Sequence, residues 1–366
     1  MIFCERCFCD MEVISVIRNQ IEIGECPICH SRNVHLYDTD KHEELGILFD
    51  EFLSIYTPIS QLPSSYPKSE TQLLKSELKK NWSIFNNRSD SDVYNIITAL
   101  CKEKYEYNEE LFDQPVGIQE LYDQDYLTEH SLLTTNSWKD FVNALKTKNR
   151  FHTHYINLNL LERFCSYIRK PYKAGTVFYR CRISSEDGID AQEMGAPPVD
   201  KTADGRANAR GIRCLYLGDT AETTIYETRA GAYDFVTVGK FELKKDIIVV
   251  DLKKINQISP FIEGLDCLEY AINKEHLNKI NDEMGKIMRR SDSALDYVPT
   301  QYITDFVKSI VHDGVPEYAG IEYKSVMHGE GYNLAVFEPE IFECVGTEVY
   351  RIDMIDYRKH MLQNGA

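Results

Sequence analysis

The stretch GRANARGIRCLYLGDTAETTIYETR, residues 205–229, decides how the chain is read. It opens on a loop bracketed by Gly205 and Gly211, runs through a short apolar strand at Cys214–Leu217, and turns helical over Ala221–Arg229. Glycine lets backbone approach a ligand closely, and loops are where binding side chains concentrate. Arg206 in the loop, Tyr216 in the strand and Glu227 on the helix therefore fall within one strand–turn–helix unit, with Asp219 or Thr220 in place to cap the helix. Taken singly, each has an ordinary reading: a surface arginine, a core tyrosine, a solvated glutamate. Together they read as one wall of a site for an anionic ligand, because an arginine fork suits phosphate and a carboxylate suits a growing positive charge.

Outward from this stretch the texture is that of strands. GTVFYRCRI, FVTVGKFELKKDIIVVDLKKI, GIEYKSV, NLAVFE and TEVYRIDMI are rich in β-branched and aromatic residues. A further helix is expected over Tyr302–Asp313, after Pro299. Arg180 ends the VFYR run, with Arg182 on the same side of the strand. Ser325 closes GIEYKS, and His328 comes next as a polar rim residue. Arg210 and Arg213, beside the loop, read as solvated.

These pieces resemble the RES domain, named for its arginine, glutamate and serine. VFYRCR, GRANARGIRCLYLG, TTIYETR and GIEYKSV, then NLAVFEP, occur in the family's order over about Tyr172 to Tyr350. Many members carry Gly-Arg-Trp-Asn where this chain has Gly205-Arg206-Ala207-Asn208. The resemblance implies an ADP-ribosyltransferase-like fold, NAD⁺ as substrate, and kinship with toxins of toxin–antitoxin pairs that deplete NAD⁺ or modify a protein. It carries over Arg180, Arg206, Tyr216, Glu227 and Ser325. Glu227, Arg206, Ser325 and Tyr216 are then expected to be catalytic, and Arg180, Arg206, Tyr216 and Ser325 to hold the dinucleotide. An antitoxin or protein regulator is the partner it implies.

The chemistry stands beside the family name. Cleaving the nicotinamide–ribose bond passes through an oxocarbenium-like state, for which Glu227 is the suitable carboxylate. Arg180 and Arg206 suit the pyrophosphate, Tyr216 the nicotinamide or ribose, and Ser325 a hydrogen bond to nicotinamide or to Glu227. No Ser–His–Asp set accompanies the serine.

The other end of the chain has its own signature. Cys4-x-x-Cys7 and Cys26-x-x-Cys29 are two knuckles 18 residues apart, the spacing of a tetrahedral Zn²⁺ site. The intervening MEVISVI and NQIEIGE read as a β-hairpin, giving a zinc ribbon whose folding depends on structural metal. Cys9 and His30 are read as neighbours, not ligands. Residues 1–40 hold three Lys or Arg against seven Asp or Glu, so a docking or scaffolding role is expected of this ribbon and not a grip on nucleic acid.

Between the two ends, helical spacing predicts helices over 42–56, 69–85 (capped by Ser69), 90–105, 117–127, 137–148 and 156–168. That makes a bundle of five or six helices, in the longer architecture in which a HEPN-like segment precedes RES. Arg150 and His154 lie only four apart, short of an RNA-cleaving Arg-x₄₋₆-His pair, and His152 alternates with them; all three read as structural or solvated.

The expected architecture is α+β: a zinc ribbon over 1–40, an all-α helical domain over 41–170 and a mixed ADP-ribosyltransferase-like domain over 171–360. At −17, with 58 acidic against 41 basic residues, the 366-residue chain is ill suited to gripping nucleic acid. No apolar run is long enough to span a bilayer and no basic-then-apolar leader opens the chain, so a cytoplasmic enzyme is expected. The reading is an NAD⁺ glycohydrolase or phosphorylase; the alternatives are a protein ADP-ribosyltransferase or, in another class, a nucleic-acid-binding or RNA-cleaving zinc-ribbon HEPN module.

Overall fold

The computed structural model describes residues 1–134, 136–288 and 293–356. Residues 357–360, at the expected end of the third domain, lie outside the described residues. The chain divides into two compact units: Met1–Asn136 with Asn256–His276, and Ser137–Ile255 with the chain from Leu277 on. Residues 137–170, read from sequence with the helical domain, fall in the second unit.

The first unit opens with β1 (Ile2–Cys4), α1 (Met11–Arg18), β2 (Ile23–Gly24) and β3 (Val34–Asp38), the strands forming an antiparallel sheet in the order β1-β3-β2. The expected hairpin is thus corrected in its first half, since MEVISVI is a helix. Asp10 caps it by accepting from the N–H groups of Glu12 and Val13, and Val13, Ile14 and Ile17 bury one face at helical spacing. The segment is pinned to the chain at Ile84–Asn86: Cys9 N–H donates to Ile84 O at 2.7 Å, and Asn86 N–H to Cys7 O at 2.9 Å.

Then come α2 (Glu44–Leu53), β4 (Thr57–Pro58), β5 (Gln72–Leu73), α3 (Leu74–Lys80), α4 (Asp90–Leu100), α5 (Lys102–Tyr107), α6 (Glu110–Asp113), β6 (Pro115–Gly117) and α7 (Gln124–His130). The all-α expectation is corrected here by a small sheet, β4-β6-β5. It also explains why the helix predicted from Ser69 starts only at Leu74: Gln72 and Leu73 are drawn out as β5 to pair with β6, and Ser69 makes no cap. The helix predicted over 117–127 begins at Gln124, where Asp123 accepts from the Asp125 and Tyr126 N–H groups and restarts the chain as helix.

The second unit contains α8 (Trp138–Thr147), α9 (Leu158–Ser166), β7 (Arg169–Tyr172), β8 (Val177–Ser184), β9 (Leu215–Gly218), α10 (Ala221–Thr228), β10 (Phe235–Leu243) and β11 (Ile247–Asp251). Beyond α11 (Cys267–Met284), whose residues divide between the units, lie α12 (Val298–Ser309), β12 (Val311–His312), β13 (Val315–Pro316), β14 (Gly320–Lys324), β15 (Tyr332–Val336) and β16 (Phe342–Arg351). The helix expected from Tyr302 starts four residues early because Pro299 fits its first turn, where a missing N–H costs nothing, and stops before β12.

Eight of these strands form one mixed sheet in the order β16-β10-β8-β9-β15-β14-β11-β7, in which β11 and β14 run parallel and the other neighbours antiparallel. Alternation sends Phe178, Leu215, Leu217, Phe241, Leu334 and Val336 to one core. Cys181, Val236 and Val238 face the other way, against Ala221 and Ile225 of α10. At the centre, β8 and β9 meet at a single rung, Tyr179 opposite Gly218. The protein is α+β, and none of its described helices is long and apolar enough to cross a membrane.

Candidate active site

Beyond the Tyr179–Gly218 rung the two strands part, and beside them lies a cavity of about 480 Å³. Its lining includes Arg180, Arg206, Tyr216 and Glu227 together with Tyr297, Tyr323 and Asn333. Four of the five residues expected at the site thus share one wall system. Ser325 stands behind it.

Arg180 follows Tyr179 on β8, one residue past the rung with Gly218, and lines the cavity. Its Nη1 donates to Tyr216 O at 3.0 Å, while Nε is buried with no partner among the described residues. Burial, with Arg182 close by, lowers its pKa from the ordinary arginine value. A buried donor without a partner is costly to leave unmade. Arg182 instead donates outward to Glu193 O at 2.7 Å.

The Gly205–Gly211 loop is locked by side chains from below. Tyr216 OH donates to Asn208 Oδ1 at 2.6 Å and accepts from Ala207 N–H at 3.0 Å. A Cβ on Gly205 would sit 2.5 Å from that hydroxyl, so the position requires glycine. Gln301 of α12 adds bonds from Nε2 to Gly205 O at 3.0 Å and Asn208 O at 2.9 Å. Burial drives the Tyr216 phenol well above its usual pKa, keeping it a neutral donor. Its ring lines the cavity, but its hydroxyl is committed to the loop. Arg206 also has partners: Nη1 donates to Glu283 O at 2.7 Å and Nη2 to Lys286 O at 2.6 Å, bracing the wall that carries Met288.

Glu227 comes from the last turn of α10, which Thr220 caps through Thr223 N–H. Of the two cap candidates, Asp219 is used elsewhere, accepting from Tyr332 N–H at 3.2 Å. Glu227 Oε1 accepts from Ser325 Oγ at 2.6 Å and from Asn333 Nδ2 at 2.9 Å. Ser325 is fixed in turn: its Oγ accepts from His328 N–H at 3.0 Å, and its N–H donates to Gly331 O at 2.9 Å. His328 bonds Thr223 Oγ1 through Nδ1 at 2.9 Å and stacks on Tyr226 with ring centroids 5.2 Å apart. It is a clasp between loop and helix, not a member of the cavity lining. Arg213 pairs with Glu340 at 2.7 Å.

Asn333 and Gln301 were not singled out from sequence. The signal for Asn333 was there, a polar residue opening the apolar run NLAVFE. Gln301 gave none, because an amide on a helix reads as solvated until its partner is known.

The cysteine expectation is met by geometry. Cys4, Cys7, Cys26 and Cys29 place their sulfurs within 4.8 Å of one another, and the first three residues are fully buried. Cys4 and Cys29 sulfurs lie 3.4 Å apart and those of Cys7 and Cys26 3.8 Å apart, too far for a disulfide and close to the edge of a ZnS₄ tetrahedron. Cys9 is exposed and outside the group. Arg150, His152 and His154 lie on a non-helical connection between α8 and α9, so they share no helix face.

A cavity in a mixed α+β unit thus carries two arginines and an anchored carboxylate on its walls. Residues 177–354 match the family model of the RES domain. No curated protein and no solved structure matches the chain.

Proposed function

We propose that the protein cleaves the nicotinamide–ribose bond of NAD⁺. The observation that carries this reading is the convergence of Arg180, Arg206, Tyr216 and Glu227 on one cavity of about 480 Å³ inside the segment matching the RES family. In the reaction the C1′–N bond breaks and its electron pair goes to the nicotinamide nitrogen, leaving positive charge on the ribosyl fragment. Water then bonds C1′ and loses a proton to solvent; phosphate in place of water leaves a sugar phosphate.

Glu227 stabilises the ribosyl charge and accepts a ribose hydroxyl. Arg180 takes the pyrophosphate through its buried guanidinium, and Arg206 adds positive charge from the loop wall. Tyr216 offers its ring as a stacking surface, and Ser325 acts through Glu227. Residues 1–40 form the metal-held ribbon of this proposal, 41–170 its helical region and 171–360 its enzyme domain. Cys4, Cys7, Cys26 and Cys29 would hold Zn²⁺, which supplies folding free energy to the N-terminal segment. A cytoplasmic setting and a protein regulator complete the proposal, because unrestrained NAD⁺ consumption would harm the host.

The test is incubation of the full chain with NAD⁺, with and without phosphate, and chromatography of the products. Nicotinamide release is expected, and Glu227→Gln should lower its rate by about a hundredfold or more. Wild-type protein that is folded and releases no nicotinamide would overturn the reading. Label from NAD⁺ appearing on protein in place of free ADP-ribose would shift it to a protein ADP-ribosyltransferase.

A further inference from the structure

Glu227 is held by one oxygen. Both Ser325 Oγ and Asn333 Nδ2 donate to Oε1, at 2.6 and 2.9 Å. Oε2 has no hydrogen-bond partner among the described residues, and the carboxylate lines the cavity. Two donors at different angles on one oxygen fix the plane of a carboxylate as well as its position, whereas one donor leaves it free to swing about the bond.

We infer that Asn333 is a positioning residue: it works with Ser325 to clamp Oε1, so that Oε2 alone is presented to the ribose as acceptor. Only the amide Nδ2 can donate to a carboxylate, so the orientation of the amide is fixed by its partner. Asn333 is suited to this because it comes from the sheet. It sits on β15 opposite Gly218 and Tyr323, in ladder positions that hold its Cα from both sides, and it is only 8 % exposed. Ser325, by contrast, belongs to the connection between β14 and β15 and depends on the His328 clasp. The clamp therefore has one rigid jaw and one loop-borne jaw.

The inference rests on the proposed reaction for its kinetic test, but its structural consequence does not. Asn333→Ala should lower kcat for NAD⁺ cleavage about tenfold with KM changed less than about twofold, because the lost bond acts on the carboxylate and not on ground-state binding. In a Glu227→Gln background the same substitution should cost less than about twofold, since its effect runs through Glu227. A merely structural residue would cost the same in both backgrounds. Asn333→Thr, which suits a strand but cannot reach Oε1 with an amide, should repeat the result if the alanine variant folds poorly.

A crystal structure of either variant should show the Glu227 carboxylate rotated away from its wild-type plane. Equal losses in both backgrounds, a loss confined to KM, or an unmoved carboxylate with unchanged kcat would overturn the assignment. If the wild type leaves NAD⁺ intact while the variant's carboxylate turns, the reaction is wrong and the clamp stands.

Discussion

At the scale of single residues, Tyr216 shows how a side chain can belong to a site without touching chemistry through its polar atom. Its hydroxyl holds Asn208 and the Ala207 N–H, so the loop that carries Arg206 keeps its shape. Tyr216→Phe should therefore cost about 1–3 kcal/mol of stability, the penalty for leaving buried polar groups unpaired, measured by denaturant unfolding. Its effect on KM should exceed its effect on kcat, because the loop arginine is displaced while Glu227 is not. Arg180, Arg206, Tyr216 and Glu227 stood out in the sequence only together, as successive members of VFYRCR, GRANARG, CLYLG and TTIYETR. The bond from Ser325 to Glu227 was one of the two partners expected for the serine, but the bond from Asn333 to Glu227, across 106 residues, leaves no local pattern.

At the scale of elements, local chemistry outweighed texture wherever the two disagreed. MEVISVI alternates enough to pass for a strand, yet the Asp10 cap and the buried trio Val13, Ile14 and Ile17 make it helix. The reverse happened at Gln72–Leu73, where good helix formers are extended because β6 offers them a ladder. Such pairing cannot be seen from the segment alone. The N-terminal element makes its own prediction. Its cysteines are brought together by short turns, with Phe3 stacked on Tyr37 at 5.4 Å as the largest part of a small core. Stripping metal with a strong chelator, or Cys26→Ser, should lower the first thermal transition by several degrees, as read by calorimetry or circular dichroism. Metal analysis should return one zinc per chain, and an unchanged transition with no bound zinc would remove the metal from the account.

At the scale of the whole molecule, the fold class and the four-cysteine cluster of the N-terminus were readable, and so was the segment that matches a RES domain. The division of the chain into compact units was not, because residues 256–276 join a unit whose other residues all precede 137. Contact between distant segments is a property of tertiary packing and carries no composition signal. The sheet of the second unit holds a further consequence. With β8 and β9 joined at one rung, the eight strands behave as two panels meeting along a seam: β16-β10-β8 on one side and the remaining five on the other. Arg180 hangs from the first panel, whereas Tyr216 and Asn333 belong to the second. A ligand that engages both would act as a staple across the seam. Amides along β8 and β9 should accordingly gain hydrogen-exchange protection on binding ADP-ribose, more than those of the fully laddered β14 and β15. Equal protection in both places would mean that the panels already move as one plate.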